Sequence, residues 1–309
     1  MINSELVAVT SRSFSKHPIL RERLQERFSR VKFNEDGIKL TGKELIDFLD
    51  GAKRVIIGLE IIDENVLSLL PDLKAICKMG TGTDKIDLEA LNRHQVAFTH
   101  TPGVNKRSVS ELVLGLIFTL LRHLPKVNAD INQGGWQQPK GRLLSNKTVG
   151  IIGFGAIGQD LAKLLGIFDC RCLVFDVRSC DRLMSHVRQV ELETLLKDSD
   201  IVSLHIPFIP ENHYFLGTKE LAQMKKGSVL INTARGGLVD EEALYAALNC
   251  KYISAAAMDV FENEPNIPKK LLTLENFFAT SHIAGSTEEA IEAMGIMAID
   301  NLEKLKLLL

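Results

Sequence analysis

Short apolar runs recur along the chain and alternate with stretches of helical spacing. The runs cover residues 6–9, 55–58, 73–77, 148–153, 172–175, 201–205, 228–232 and 253–260. They are continuously apolar rather than alternating with polar residues, which is typical of strands covered by helices on both faces of a parallel sheet. Because the pattern occurs in both halves of the chain, it predicts an α/β fold with two doubly wound parallel-sheet domains.

A break followed by a long apolar helix lies between the two halves. Pro102 and Gly103 interrupt the pattern, and a helix is predicted to start near Asn105. The segment from residue 286 onwards is predicted to form one helix with Ser286 or Thr287 as its cap. The break therefore predicts a crossing between domains.

Composition limits the classes of partner. The chain has 309 residues and a formal net charge of -2, and it lacks a basic run, so we expect no nucleic-acid partner. Cys170 and Cys172 have neither redox-motif nor zinc-site spacing, which predicts reduced thiols and no metal site. There is no signal-peptide pattern, and the longest apolar run, 112–121, is half a membrane span, so we expect a cytoplasmic protein without membrane contact.

The strongest motif joins a predicted strand to a predicted helix. In "KTVGIIGFGAIGQDLAKLLG" (147–166), Gly153, Gly155 and Gly158 form GxGxxG. The first glycine permits a tight turn, the second lets a pyrophosphate approach the backbone, and the third lets helix and strand pack closely. The motif therefore predicts a dinucleotide site at the start of the helix.

An acidic residue is expected about twenty positions after such a motif, at the end of the next strand. Asp176 occupies this place in "CRCLVFDVR". Its carboxylate would accept the ribose hydroxyls of adenosine and repel a 2′-phosphate, which favours NAD over NADP. Arg178 keeps NADP open, since an arginine at this place can pair with the phosphate.

Three titratable or cationic residues follow later strands. Arg235 follows "VLINTA", Glu264 lies in "AMDVFENEP", and His282 lies in "NFFATSHIAG". Such strand ends line the ligand crevice of α/β sheets. A planar cation suits a substrate carboxylate, and a group that titrates near neutrality suits proton transfer to a carbonyl oxygen. Together they indicate reversible hydride transfer on a 2-keto acid.

At this level of detail the sequence resembles the D-isomer-specific 2-hydroxyacid dehydrogenase family. The matching segments are "KMGTGTDKID", "TPGVNKRSVSEL", "VGIIGFGAIG", "INTARGGLVDEEAL", "AMDVFENEP" and "SHIAGST", in consistent order from about residue 73 to the end. The resemblance implies a flavodoxin-like substrate domain of residues 1–101 and 285–309, and a Rossmann NAD domain of residues 102–284, with a cleft between them. It also implies a homodimer through helix 106–122 and the "NQGGW" segment around Trp136.

The resemblance also implies roles for individual residues. His282 would be the acid/base, Glu264 would orient it and stabilise its cationic form, and Arg235 would hold the substrate carboxylate and carbonyl. Substrate contacts are further expected from Gly80, Thr81 and Gly82, whose main-chain amides would cradle the carboxylate, and from Lys78. Cofactor contacts are expected from Gly153, Gly155, Ala156, Ile157, Gly158, Asp176, His205, Pro207, Thr233, Ala234, Asp259 and Gly285.

The substrate stays open at this stage. Lys78 as a second cation favours D-3-phosphoglycerate, and the pattern resembles short bacterial phosphoglycerate dehydrogenases of serine biosynthesis that lack regulatory domains. Glu60 opposes a phosphate, which keeps hydroxypyruvate and glyoxylate reduction as the main alternative, with other small 2-keto acids or phosphite also open. A different class is an NAD(H)-sensing corepressor, since related corepressors retain the Arg, Glu and His.

Overall fold

The computed structural model describes residues 3–181 and 183–305, in which strands and helices alternate. The strands are β1 Asn3–Val9, β2 Phe28–Phe33, β3 Arg54–Ile57, β4 Ala75–Lys78, β5 Ala97–Thr99, β6 Thr148–Ile152, β7 Arg171–Phe175, β8 Val187–Gln189, β9 Ile201–Leu204, β10 Val229–Asn232, β11 Ala255–Met258 and β12 Phe277–Ala279. The helices are α1 Arg12–Ser15, α2 Pro18–Arg27, α3 Gly42–Leu49, α4 Glu64–Ser68, α5 Leu88–Arg93, α6 Lys106–Leu121, α7 Leu124–Asn132, α8 Ala156–Gly166, α9 Leu192–Asp198, α10 Thr218–Gln223, α11 Glu241–Asn249, α12 Lys269–Leu272 and α13 Glu288–Leu305.

The chain divides into two compact units. One unit contains the chain up to Asn105 and again from Gly285, and the other runs from Lys106 to Ala284. The first residue of the second unit is also the first residue of α6. In the first unit, α13 begins directly after Thr287, whose hydroxyl accepts a hydrogen bond from the Ala290 amide at 3.2 Å, so Thr287 caps the helix.

The first unit contains a parallel sheet of order β2-β1-β3-β4-β5. Its central strands are buried on both faces, and neighbouring residues of β3 pack into different clusters. Val55 and Ile57 pack with α3 and α4 residues such as Leu45 and Leu67, whereas Ile56 packs with residues of α2 and α13. Helices thus cover both faces, as the continuous apolar runs predict.

The second unit contains a parallel sheet of order β12-β11-β10-β9-β6-β7-β8. The strands are in register, so that Asn232 at the end of β10 pairs with Leu204 of β9 and Met258 of β11, and Met258 pairs with Ala279 of β12. The residues that follow β9, β10, β11 and β12 therefore leave the sheet at the same end, where the carboxyl ends of these strands lie. Most of the predicted site residues lie at this carboxyl end.

The prediction of two parallel-sheet α/β units is confirmed, and each predicted apolar run contains a strand. The runs left out β2, β5, β8 and β12, which are the edge strands of the two sheets. In the described ranges no single helix is long and apolar enough to cross a membrane; α6 and α7 reach that length and hydropathy only as a pair bent by 61°.

Candidate active site

The glycine loop after β6 has the geometry that a dinucleotide requires. Gly153 has φ +96°, and a Cβ there would lie 2.5 Å from the His205 carbonyl oxygen. At Gly158 a Cβ would lie 2.2 Å from the Gly153 carbonyl oxygen, whereas at Gly155 it would meet nothing within 4 Å. Two glycines are thus required by protein packing, and Gly155 leaves open backbone at the N-terminus of α8, where Ala156 and Ile157 form the first turn.

Asp176 lies directly after β7 and faces this loop. Its Oδ2 accepts the Phe154 amide at 2.8 Å and its Oδ1 accepts the Arg178 amide at 3.0 Å. Burial raises the pKa of this carboxyl, but the hydrogen bonds from Arg178 and Phe154 outweigh burial and leave the pKa below its ordinary value. Asp176 is therefore an ionised acceptor beside the loop. The Arg178 guanidinium, 3.4 Å from Oδ1, is mostly exposed.

Two buried polar atoms at the carboxyl end of the second sheet lack a hydrogen-bond partner within the part of the chain that the structure describes. They are Oγ1 of Thr233, directly after β10, and Nδ1 of His205, directly after β9. The other ring nitrogen of His205 lies 2.9 Å from the Ser203 hydroxyl, and burial lowers the pKa of this histidine to about 4, so its ring is neutral. Unsatisfied buried groups are costly without a ligand, and these fit the polar edge of a dinucleotide. Pro207, two residues after His205, is exposed.

The turn that carries Arg235 is closed by the side chain of Asn232, the last residue of β10. Asn232 is fully buried; its Oδ1 accepts the Ala234 amide at 3.0 Å and its Nδ2 donates to the Arg235 carbonyl at 2.9 Å. The Arg235 guanidinium donates to the Ala234 carbonyl at 2.7 Å. Asn232 was not among the predicted site residues, although an asparagine that ends a strand before a tight turn is a usable signal.

The two glycines after Arg235 are required by contacts with protein atoms. A Cβ on Gly236 would lie 2.0 Å from the Phe261 carbonyl oxygen, and one on Gly237, which has φ +75°, would lie 2.8 Å from the Phe208 ring. Gly236 therefore lets the Arg235 turn pack against the segment after β11, and Gly237 lets it pack against the segment after β9.

Asp259 holds the loop that carries His282. Its fully buried carboxylate accepts the Thr280 hydroxyl at 2.6 Å, the Ile283 amide at 2.8 Å and the Ala284 amide at 2.9 Å. Its main-chain carbonyl accepts the His282 amide at 2.8 Å. The resemblance implies a cofactor contact for Asp259, and the structure adds these four bonds to the His282 loop.

Glu264 and His282 form the pair that the sequence predicted. The Nδ1 atom of His282 lies 2.9 Å from Oε2 and 3.1 Å from Oε1 of Glu264. Oε1 also accepts the Phe261 amide at 3.1 Å. Both side chains are about one-third exposed. Because Nδ1 faces the carboxylate, Nε2 is the nitrogen that can exchange a proton with a substrate.

In the first unit, two buried charged side chains bond to the main chain of one residue, Gly58. The Lys78 ammonium donates to the Gly58 carbonyl, and the Glu60 carboxylate accepts the Gly58 amide at 2.6 Å. Lys78 and Glu60 are 7% and 8% exposed, so little water screens either charge. Burial and the Lys78 charge lower the pKa of the neighbouring His100.

The turn that was expected to cradle a carboxylate follows Lys78 directly. Gly80 has φ +129° and a Cβ there would meet nothing within 4 Å, so its backbone is open. Thr81 and Gly82 are half-buried. Gly285, expected near the cofactor, is the first residue of the return segment of the first unit, and a Cβ there would lie 2.9 Å from the Asn105 side chain.

Comparison with known proteins identifies the family. Residues 114–284 match the model of the D-isomer specific 2-hydroxyacid dehydrogenase, NAD binding domain. The chain belongs to this family. It is an NAD-dependent oxidoreductase that acts on a CH–OH group, with small 2-hydroxy or 2-keto acids as its substrate class.

Similar 2-hydroxyacid dehydrogenases differ in substrate. The chain is 37% identical to the hydroxypyruvate reductase of Thermotoga maritima over 79% of this chain and 81% of that protein. It is 35% identical to the D-3-phosphoglycerate dehydrogenase of Methanocaldococcus jannaschii over 86% of this chain but 52% of that protein. The D-lactate dehydrogenase of Aquifex aeolicus, solved with NAD and lactic acid, superposes with a TM-score of 0.83 at 27% identity, over 97% of this chain and 95% of that one.

Proposed function

We propose that the protein reduces a small 2-keto acid with an uncharged far end, hydroxypyruvate or glyoxylate, and oxidises D-glycerate in reverse. The observation that carries this choice is the pair of buried charges that bond to the main chain of Gly58. Lys78 is already engaged by the Gly58 carbonyl, and the Glu60 carboxylate lies on the amide of the same residue. A phosphate would bring two negative charges towards Glu60, which a hydroxymethyl group or a hydrogen would not.

In the proposed mechanism, His282 transfers a proton, Glu264 orients His282, and Arg235 binds the substrate. NADH, when bound, supplies the hydride that reduces C2 of the keto acid. His282 gives the proton on Nε2 to the carbonyl oxygen, and in oxidation it takes the hydroxyl proton back. Glu264 fixes the ring through Nδ1. Arg235 binds the substrate carboxylate as a two-pronged donor.

The remaining contacts complete this proposal. The open amides of the turn at Gly80, Thr81 and Gly82 would bind the substrate carboxylate, and Thr233 and Asp176 would bind the dinucleotide. The ionised Asp176 favours NAD over NADP, because it accepts hydroxyls and repels a 2′-phosphate. The first unit is proposed as the substrate domain and the second as the NAD domain.

A homodimer is also part of the proposal. Trp136 is 78% exposed and Leu143 71% exposed, both in the segment that follows α7. Several apolar residues of α6 are only partly buried in the second unit, among them Leu112 and Phe118. Exposed apolar groups of this kind mark protein interfaces. Light scattering should give twice the monomer mass, and a monomer would contradict this part.

A panel of keto acids tests the substrate. With NADH in excess, kcat/KM for hydroxypyruvate and glyoxylate should exceed that for 3-phosphohydroxypyruvate by at least about tenfold, the effect of one repulsive charge. The matched variant Glu60→Gln should reduce this preference. If 3-phosphohydroxypyruvate is the better substrate, the second candidate, D-3-phosphoglycerate dehydrogenase, replaces our choice; Lys78 is the residue that favours it.

A further inference from the structure

Glu262 bonds to two other segments of the second unit. Its main-chain amide donates to the buried Glu241 carboxylate at 3.0 Å, at the start of α11. Its own carboxylate accepts the Tyr214 hydroxyl at 3.0 Å, and its other oxygen lies 3.4 Å from Nε2 of His213. The segment after β11 is thus joined to the loop after β9 and to the helix that follows the Arg235 turn.

Tyr214 forms hydrogen bonds through both its side chain and its main chain. While its hydroxyl reaches Glu262, its main-chain amide donates to the Gly237 carbonyl at 2.7 Å. Its backbone is in the left-handed region, with φ +52°, and its ring stacks on His213 with centroids 3.8 Å apart. A left-handed tyrosine is costly unless its surroundings hold it. The hydrogen bond to Glu262 raises the pKa of Tyr214, so the hydroxyl stays a donor.

The residues joined in this way are close in sequence to Arg235 and Glu264. Gly237 is two residues after Arg235, and Glu262 is two residues before Glu264. Between them, Gly236 approaches the Phe261 peptide so closely that a Cβ would lie 2.0 Å from its carbonyl oxygen. A shift of either segment would therefore move the other.

We propose that Tyr214 and Glu262 are positioning residues that hold the Arg235 turn and the Glu264 segment in one fixed arrangement. The Tyr214 amide fixes the turn, its hydroxyl fixes Glu262, and Glu262 fixes the residues that lead to Glu264. The inference rests on the proposed roles of Arg235 and Glu264. Tyr214 and Glu262 themselves exchange no proton with the substrate.

The test removes one hydroxyl and leaves the ring. Tyr214→Phe should lower kcat about tenfold, less than the hundredfold loss that follows an ångström-scale misplacement. The KM for the keto acid should rise through Arg235, and the affinity for NADH should not change.

A matched control is Tyr252→Phe in the same unit. The Tyr252 hydroxyl donates to the Ala222 and Met224 carbonyls, both at 2.8 Å, away from the catalytic segments. Its loss should lower Tm and leave kcat and the KM for the keto acid as in the wild type. Glu262→Gln, which keeps an acceptor for Tyr214, should retain more activity than Glu262→Ala.

Hydrogen exchange gives a readout that needs no turnover. In Tyr214→Phe the amides of residues 261–264 should exchange faster, and in Tyr252→Phe they should not. Wild-type kcat, KM and exchange in Tyr214→Phe, or equal changes in both variants, would overturn the inference. If the wild-type protein reduces no 2-keto acid, the proposed function fails, and the exchange rates alone still decide whether the Tyr214–Glu262 bond holds this segment.

Discussion

Replacing Asp259 by asparagine removes a buried charge that three donors share. The carboxylate is 0% exposed, and the donors are the Thr280 hydroxyl and the amides of Ile283 and Ala284. These donors flank His282 on both sides. The substitution changes almost no volume, so its effect reports on the hydrogen bonds rather than on packing.

The expected loss in the free energy of unfolding follows from the number of acceptor oxygens that the side chain keeps. Asparagine has one carbonyl oxygen; if that oxygen accepts from Thr280 and Ile283, its amide group faces the Ala284 amide. A buried donor without a partner costs about 1–3 kcal/mol, and each of the other two bonds weakens by about 1 kcal/mol when the acceptor loses its charge. Burying a neutral side chain in place of a charge offsets part of this cost. We expect a net loss of about 2–4 kcal/mol in the free energy of unfolding.

Urea unfolding measures this loss, and steady-state kinetics measures its consequence. The kcat of Asp259→Asn should fall because the His282 loop is no longer fixed. The control Asp200→Asn removes a carboxylate that accepts the Thr148 amide at 3.0 Å and the Lys225 ammonium at 2.8 Å, away from the site; it should affect stability and not kcat. An unfolding free energy within about 0.5 kcal/mol of wild type, together with weaker NADH binding, would refute the reasoning and make Asp259 a cofactor ligand alone.

Four further substitutions test separate parts of the structure. Asp176→Ala should lower the ratio of kcat/KM for NADH over NADPH by at least about tenfold, and an unchanged ratio would remove Asp176 as the selector. Gly155→Ala should keep the wild-type Tm and weaken NADH binding, because its Cβ meets nothing within 4 Å, whereas Gly158→Ala should lower Tm, because its Cβ lies 2.2 Å from a backbone oxygen; equal Tm losses would contradict this. Glu5→Gln should lower the free energy of unfolding at neutral pH, because the hydrogen bond from Arg54 keeps the pKa of Glu5 below its ordinary value. That difference should vanish as the pH falls through the folded-state pKa, and urea unfolding at neutral and acid pH checks it.

The central strands could be predicted from the sequence because burial on both faces forces a continuous apolar run. Strand β10 is an example, since Val229 and Ile231 pack on one face and Leu230 on the other. Edge strands need not be buried on both faces, so their sequences need not form a continuous apolar run. Strand β2, with the sequence FSRVKF, exposes most of its middle residues, and its pairing with β1 depends on contacts that no local pattern encodes.

The chemistry of the site could be predicted where residue type and strand position suffice, as for Glu264 and His282. The residues that hold them could not. Tyr214 acts through bonds to the Glu262 carboxylate and the Gly237 carbonyl, which are distant from it in sequence, and no local motif encodes these contacts. The glycines after Arg235 show the same limit, because their need arises from the Phe261 peptide and the Phe208 ring.

The most direct test of the central claim is the formation of NADH from NAD with each enantiomer of glycerate. We expect oxidation of D-glycerate and not of L-glycerate, and a rate about 100- to 10,000-fold lower in a folded His282→Ala variant, the range for loss of a general acid–base. Equal rates for wild type and His282→Ala, or oxidation of L-glycerate alone, would contradict the assignment of this pair as the catalytic centre.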